Sequence, residues 1–265
     1  MLTPAIRFNQ RAGSAPTPGG RRIPPREPAL PHARPEKPCV PGRLLITAGP
    51  TQEPIDAVRF IGNRSSGRLG VALAKEAVRR AWDTTLMLGP TPLPCEVPGA
   101  RVTRFRTTED LARLLDEHFT DCDVLIMAAA VADFRPVSRQ GSNVSGNKWR
   151  RSDGHVTLEL EPTPDLLARC ADRRRPGQTL VGFALEPEDR LLESAREKLG
   201  RKGVDLVVAN PLETMDAATI RAFLLTQRAE PEGTDGPIAK DAFASWLLDR
   251  VESFRRAGKP TARPA

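Results

Sequence analysis

The sequence predicts a doubly wound α/β protein with a mostly parallel sheet, and three observations carry that prediction. From residue 43 onward, short apolar runs alternate with amphipathic stretches of helical period. The clearest run, Asp123–Ala128, is continuously apolar after its first residue, as a strand buried on both faces should be. Strands separated by helical segments imply repeated β-α units, whose crossovers make the strands parallel. In such a sheet, ligands collect at the carboxyl ends of the strands.

Leu44–Ala48 reads as the first strand, leading into a polar loop rich in Gly and Pro. The helix 66–81 follows, with Leu69, Leu73, Ala77 and Arg80 at steps of three and four. Thr84–Leu88 and Arg101–Arg106 read as the next strands. Thr107 suits the N-cap of helix 108–119, because Asp110 stands where a capping box places its acceptor. After the strand Asp123–Ala128, residues 135–155 are polar and Ser/Gly-rich, a mobile loop of about twenty residues; loops that long usually serve function. Strand 156–161, helix 164–173, strand 179–184, helix 187–202 and strand 204–209 resume the alternation. Thr219–Gln227 reads as an outer strand and Ile238–Phe254 as a terminal helix. The whole is a Rossmann-like sheet with a small C-terminal strand extension.

Composition narrows the function. The formal charge is +7, yet residues 1–43 carry eight basic and two acidic residues, and residues 255–265 carry four basic and none acidic. Residues 44–254 hold 28 basic and 31 acidic residues, so the basicity belongs to the tails and does not describe a nucleic-acid groove. Residues 1–42 hold ten of the 26 prolines and no hydrophobic period, the composition of a disordered extension. The domain organisation expected is therefore extension 1–42, folded domain 43–254 and basic tail 255–265. Cys39, Cys95, Cys122 and Cys170 are scattered without metal-ligand spacing, which suits a reduced, cytoplasmic protein. No apolar run approaches the roughly 20 residues of a membrane span.

The familiar nucleotide motifs are missing. Gly49-Pro50-Thr51 is not a dinucleotide fingerprint, no P-loop occurs, and there is no G-x-S-x-G nucleophile elbow. What remains is an anion cradle. Asn63-Arg64-Ser65-Ser66-Gly67 enters a helix, so free N–H groups and the positive helix end face the loop. Arg59 and Arg64 add guanidinium forks suited to carboxylate or phosphate; capping and surface charge are the plainer alternative. Ala128–Ala130 and Ala132 would let a flat ligand approach the backbone, and Asp133 could hold a divalent cation beside phosphates or cap a helix. Lys148-Trp149-Arg150-Arg151 lies in the long loop, where it could close over polyphosphate or remain a solvated basic loop.

With these pieces in order, the chain resembles phosphopantothenate–cysteine ligase (phosphopantothenoylcysteine synthetase), the synthetase half of the bifunctional coenzyme A biosynthesis protein. The resemblance rests on Thr47–Asp56, Val58–Gly67, Ala129–Phe134, Thr163–Leu167, Val181–Ala184, Lys198–Lys202 and Asp205–Asn210, in that order. It implies a magnesium-dependent enzyme that activates 4′-phosphopantothenate with CTP, in preference to ATP, as an acyl-cytidylate. L-cysteine then displaces CMP. It also implies a homodimer. Carried over by motif, Asn63 contacts the acyl group, Arg59 belongs to the substrate loop and Lys148 is the flap lysine. Met127, Ala128, Ala129, Asp133, Pro164, Asp165, Leu166, Leu167 and Phe183 frame the nucleotide, with Asp133 as metal ligand. Lys198 and Lys202, at i and i+4, reach its phosphates. The flavin decarboxylase half, and so FMN, is not expected before residue 43. The chain departs from the pattern in having one flap lysine, Phe183–Glu188 in place of an Ala-Glu-Thr continuation, and no Asp-x-Asn segment after Asn210. An NAD(P)-binding reductase and a non-catalytic nucleotide-binding relative are the alternatives.

Overall fold

The computed structural model describes residues 42–92, 96–137, 148, 150, 154–227 and 229–258. In chain order the strands are β1 (Arg43–Ala48), β2 (Gln52–Pro54), β3 (Phe60–Gly62), β4 (Asp83–Leu88), β5 (Arg101–Arg104), β6 (Val124–Met127) and β7 (Phe134–Pro136). They continue as β8 (Leu160–Pro162), β9 (Thr179–Glu186), β10 (Leu206–Pro211), β11 (Thr219–Ile220), β12 (Phe223–Thr226), β13 (Glu232–Gly233) and β14 (Ile238–Ala239). The helices are α1 (Arg68–Arg79), α2 (Thr108–His118), α3 (Leu166–Asp172), α4 (Leu191–Lys202) and α5 (Lys240–Arg256).

Eight strands form one sheet in the order β13-β12-β10-β9-β6-β1-β4-β5. The six from β10 to β5 are parallel, while β12 and β13 are antiparallel additions at one edge. The chain winds outward from β1 through β4 and β5, then returns to β6 on the other side of β1. That reversal leaves a crevice between the carboxyl ends of β1 and β6, where a doubly wound sheet binds its ligand. Alternation along each strand divides the core. Leu44, Ile46, Leu86 and Leu88 pack on α1 and α5, whereas Leu45, Met87 and Leu125 pack under α2, α3 and α4.

The expected capping box is present, with Thr107 Oγ1 accepting from Asp110 N at 3.1 Å and Asp110 Oδ2 from Thr107 N at 3.0 Å. Helix 66–81 begins later than predicted, at Arg68, because Gly67 turns the chain at φ 71°. Helix 187–202 starts as a 3-10 turn, Glu188–Arg190, before α4. Two corrections are larger. The strand predicted over 156–161 contracts to β8, which pairs antiparallel with β7 outside the main sheet; Val156 and Leu160 are exposed and bury no face. The outer strand 219–227 divides into β11 and β12, with β11 leaving the sheet to pair with β14. The loop after β1 also contains a hairpin, β2 and β3, that has no apolar period to announce it.

Within the predicted extension 1–42 only Gly42 is described, and α5 continues to Arg256, past the predicted boundary. Cys39 and Cys95 lie outside the described residues, as do 138–147, Trp149 and 151–153 of the predicted loop 135–155. Cys122 and Cys170 are buried, and burial pushes their thiols up to about 12 and about 11. They are inert small hydrophobes.

An ion network fixes α1 against α5 and so orients the helix end that borders the crevice. Glu76 accepts from Arg79 and Arg80, and Arg80 continues to Asp249 and Ser245 of α5. The Arg79 hydrogen bond, with Arg80, holds Glu76 down at about 2 against the effect of burial. Its folded pKa lies below the unfolded value, so its contribution is complete above about pH 4.5 and disappears as pH falls toward about 2. Arg79 is mostly exposed, which screens its share. Glu76→Gln is therefore expected to cost about 1–2 kcal/mol at pH 7 in urea unfolding. That difference should shrink between pH 4.5 and 2; one that stays constant over this range would assign the loss to packing.

Candidate functional site

A cleft of about 940 Å³ opens at the carboxyl ends of β6, β9 and β10 and against the start of α1. Its floor is the loop after β6, Ala128–Asp133, held by side chains from three directions. Thr47 Oγ1 accepts from Ala129 N at 3.2 Å and Thr51 Oγ1 from Ala132 N at 2.9 Å. Thr163 Oγ1 donates to Ala132 O at 2.6 Å. Asn63 Nδ2 then donates to Val131 O at 2.9 Å, joining the loop before α1 to this floor. Asn63 therefore has a definite position in the crevice although it is exposed.

The motif between β1 and α1 divides its labour. Glu53 is buried and accepts from Thr108 N at 2.8 Å and Thr108 Oγ1 at 2.7 Å, so it closes the start of α2. Asp56 is buried too, accepting from the backbone N–H of Val58 and Arg59 and pairing with the Arg59 guanidinium at 2.8 Å. These carboxylates hold the hairpin and the helix; they do not line the cleft. The sequence reading missed that role, since an acid in a polar loop carries no sign of its burial.

The cationic wall comes from α4. Lys198 Nζ donates to the carbonyl of Phe183 within β9, and Lys202 pairs with Asp165, the N-cap of α3. Burial, reinforced by the charge of Lys202, lowers the Lys198 pKa. Burial pushes Asp165 up, but the Lys202 hydrogen bond, the Ala168 N–H and the two lysine charges outweigh it and hold its carboxyl low. A cation held by a backbone carbonyl and by one carboxylate is preorganised beside the cleft and retains donors for an anion.

Of the residues singled out from the sequence, Asn63, Met127, Ala128, Ala129, Asp133, Pro164, Asp165, Leu166, Leu167, Phe183, Lys198 and Lys202 all line this one cleft. Arg59 and Lys148 do not. Arg59 serves the hairpin turn through Asp56, and Lys148 is exposed and is not among the lining residues. Asp133 is exposed and stands alone: among the described residues no group of three His, Cys, Asp or Glu could hold a metal by itself. A single carboxylate fits a magnesium ion that takes its other oxygens from phosphates and water. The lining also includes Arg201 and Asn210, which stand in the motifs above without a role, and Arg68, Asp216 and Lys240. No helix among the described residues is long and apolar enough to cross a membrane.

Residues 41–254 match the family model of the DNA/pantothenate metabolism flavoprotein C-terminal domain. A protein of an unknown prokaryote named cysteine/cysteine sulfinic acid decarboxylase is 42% identical over 178 residues, 67% of this chain and 48% of its own length. The coenzyme A biosynthesis bifunctional protein CoaBC of Mycobacterium tuberculosis is 38% identical over 227 residues, 80% of this chain and 52% of its own. The crystal structure of the C-terminal domain of a CoaBC protein has a TM-score of 0.67 at 30% identity, covering 81% of this chain and 96% of that one. The chain spans about half the length of the curated relatives it matches.

Proposed function

The chain belongs to the family of DNA/pantothenate metabolism flavoprotein C-terminal domains, and from that premise we propose that it is the ligase joining 4′-phosphopantothenate to L-cysteine in coenzyme A biosynthesis. The name of the Mycobacterium tuberculosis relative, and the 30% identical CoaBC C-terminal domain, support the pathway. The observation that carries the chemistry is Asn63 held by Val131 O in the same cleft as Lys198, Lys202 and Asp133. A ligase of this class needs an N–H donor beside an acyl carbon and cations beside a nucleotide's phosphates.

In the first half-reaction a carboxylate oxygen attacks the α-phosphorus of CTP, pyrophosphate leaves and an acyl-cytidylate forms. Lys198 and Lys202 offset the charge of the phosphates, with Lys148 joining from its loop. Asp133 would hold magnesium, which supplies charge neutralisation on the triphosphate. In the second half-reaction the cysteine amine attacks the acyl carbon, and CMP leaves as the amide forms. The Asn63 N–H donates to the oxyanion of that tetrahedral intermediate. The cysteine thiol takes no part in the bond made. Arg59 acts indirectly, by holding the hairpin through Asp56. CTP is preferred to ATP in this reading, and the enzyme works as a homodimer in the cytoplasm.

A reductase reading finds less support, because the long β1–α1 connection lacks a glycine-rich pyrophosphate turn and holds a hairpin instead. The purified chain with 4′-phosphopantothenate, cysteine and magnesium is expected to release pyrophosphate and CMP from CTP in equal amounts, more slowly with ATP. Absence of nucleotide turnover with both would remove the ligase assignment.

A further inference from the structure

Arg64 follows Asn63 directly and lines the same cleft, yet the two half-reactions described above give it no task. Its Nη2 donates to Asp216 Oδ2 at 2.6 Å. Asp216 belongs to the connection after β10 and lines the cleft as well. Consecutive side chains thus fasten to different elements, Asn63 to the β6 loop through Val131 O and Arg64 to that connection. A group held by Arg64 therefore lies beside the acyl carbon that the ligase reading places at Asn63.

The pair uses only part of its bonding capacity. Neither side chain makes a second hydrogen bond or ion pair among the described residues. A guanidinium offers a planar fork of donors and a carboxylate accepts at both oxygens, so Arg64 keeps an edge for a carboxylate and Asp216 an oxygen for a cation. A phosphate placed on Arg64 would meet the like charge of Asp216. An α-amino acid meets no such conflict, because it carries carboxylate and ammonium on one carbon. One fork and one acid side by side match it.

The order of the reaction selects this pair over the other. Among the described residues two ion pairs have both partners in the cleft lining, Lys202–Asp165 and Arg64–Asp216. The Lys202 side chain is 15% exposed and belongs to the α4 wall, whereas that of Arg64 is 74% exposed. Cysteine attacks an acyl-nucleotide that already occupies the cleft, so its site must stay open to solvent until then. Arg64–Asp216 meets that condition. We propose that Arg64 and Asp216 form the binding site for the amino-acid substrate, with Arg64 holding its carboxylate and Asp216 facing its ammonium. This rests on the ligase reading given above. It makes the substrate carboxylate a requirement that amide formation itself does not impose.

The test uses the full chain with 4′-phosphopantothenate, CTP and magnesium, and compares two amines. L-cysteine and cysteamine share thiol and amine, but cysteamine has no carboxylate. Wild-type protein should prefer L-cysteine through KM. In Arg64→Gln the KM for L-cysteine should rise roughly 10- to 100-fold, the range of charge-assisted hydrogen bonds. For cysteamine it should change less than about threefold, since that amine offers the guanidinium nothing to hold. Arg64→Lys should recover only part of the loss, because an ammonium lacks the planar fork. Asp216 lies at φ 59°, a left-handed conformation that Asn also tolerates, so Asp216→Asn changes charge with little change of shape. It should raise KM for both amines, and it gives a second reading if Arg64→Gln proves unstable in thermal unfolding. Equal loss of both amines in Arg64→Gln would overturn the proposal by making Arg64 a support for the Asn63 loop. Slowed pyrophosphate release before any amine is added would overturn it by assigning Arg64 to the first step. Unchanged KM values in both variants would overturn it as well. Wild-type protein that turns over no nucleotide would remove the ligase reading itself, and active wild-type protein without preference for L-cysteine would remove only this inference.

Discussion

Asn63→Asp protein is expected to release pyrophosphate from the nucleotide and then stall, with acyl-nucleotide accumulating and amide formation reduced about 100- to 1,000-fold. The size follows from loss of one oxyanion donor, worth about 3–4 kcal/mol. Asparagine and aspartate have the same shape, so packing is nearly constant and the change is one of hydrogen-bond polarity. Asn63 Nδ2 now donates to Val131 O at 2.9 Å. The carboxylate would instead set an acceptor against that carbonyl and add negative charge where an oxyanion must form. Rapid quenching after mixing with 4′-phosphopantothenate and CTP, before cysteine is added, separates the two half-reactions. If amide forms at the wild-type rate, Asn63 is only a link between two loops. If pyrophosphate release falls as far as amide formation, its contribution belongs to the first step and the assignment to the second is wrong.

That experiment begins from a residue visible in the sequence, and the reason it was visible is physical. Strands β1, β4, β6 and β10 are apolar over several consecutive residues, so their burial on both faces is written into composition. The start of α2 is equally local, since Thr107 and Asp110 make their bonds within one turn. Asn63 became legible through a motif that spans the loop and the helix entry. Lys240 did not, because a lysine at the start of an amphipathic helix has the pattern of a solvated residue. Only the fold shows that it is largely buried and that it lines the cleft. Lys202 shows the same limit from another side. Its spacing from Lys198 suggested two phosphate-reaching lysines, whereas their anchoring by Asp165 and the Phe183 carbonyl depends on elements remote in sequence. The short antiparallel pairs, β2 with β3 and β7 with β8, have three residues a strand and no period, so tertiary pairing alone creates them.

Gly70→Ala is the substitution expected to damage stability and site together, and its sign is informative. In an unconstrained helix interior, alanine is favoured over glycine by about 1 kcal/mol. Gly70, however, lies in the first turn of α1 where the helix meets β1, and an added Cβ would lie far inside van der Waals contact with Ala48 Cβ and 3.3 Å from Ala48 Cα. Neither neighbour can rotate away, since the obstruction is a methyl and a backbone atom of a central strand. The helix must move, and overpacking of this kind costs roughly 1–3 kcal/mol. Because the displaced turn carries Arg68 and the free N–H groups, kcat/KM for 4′-phosphopantothenate should fall further than the stability loss alone accounts for. The Ala48→Gly, Gly70→Ala pair supplies the decisive comparison, as it returns the missing space from the other side. The double variant should recover both the urea midpoint and the activity lost by Gly70→Ala, with a coupling of at least about 1 kcal/mol. If Gly70→Ala alone stabilises the protein, helix propensity outweighs the contact and α1 has room to move on β1. If the double variant recovers stability but not activity, the helix end needs the native Ala48 methyl to hold its angle, and close approach alone is not what positions the site.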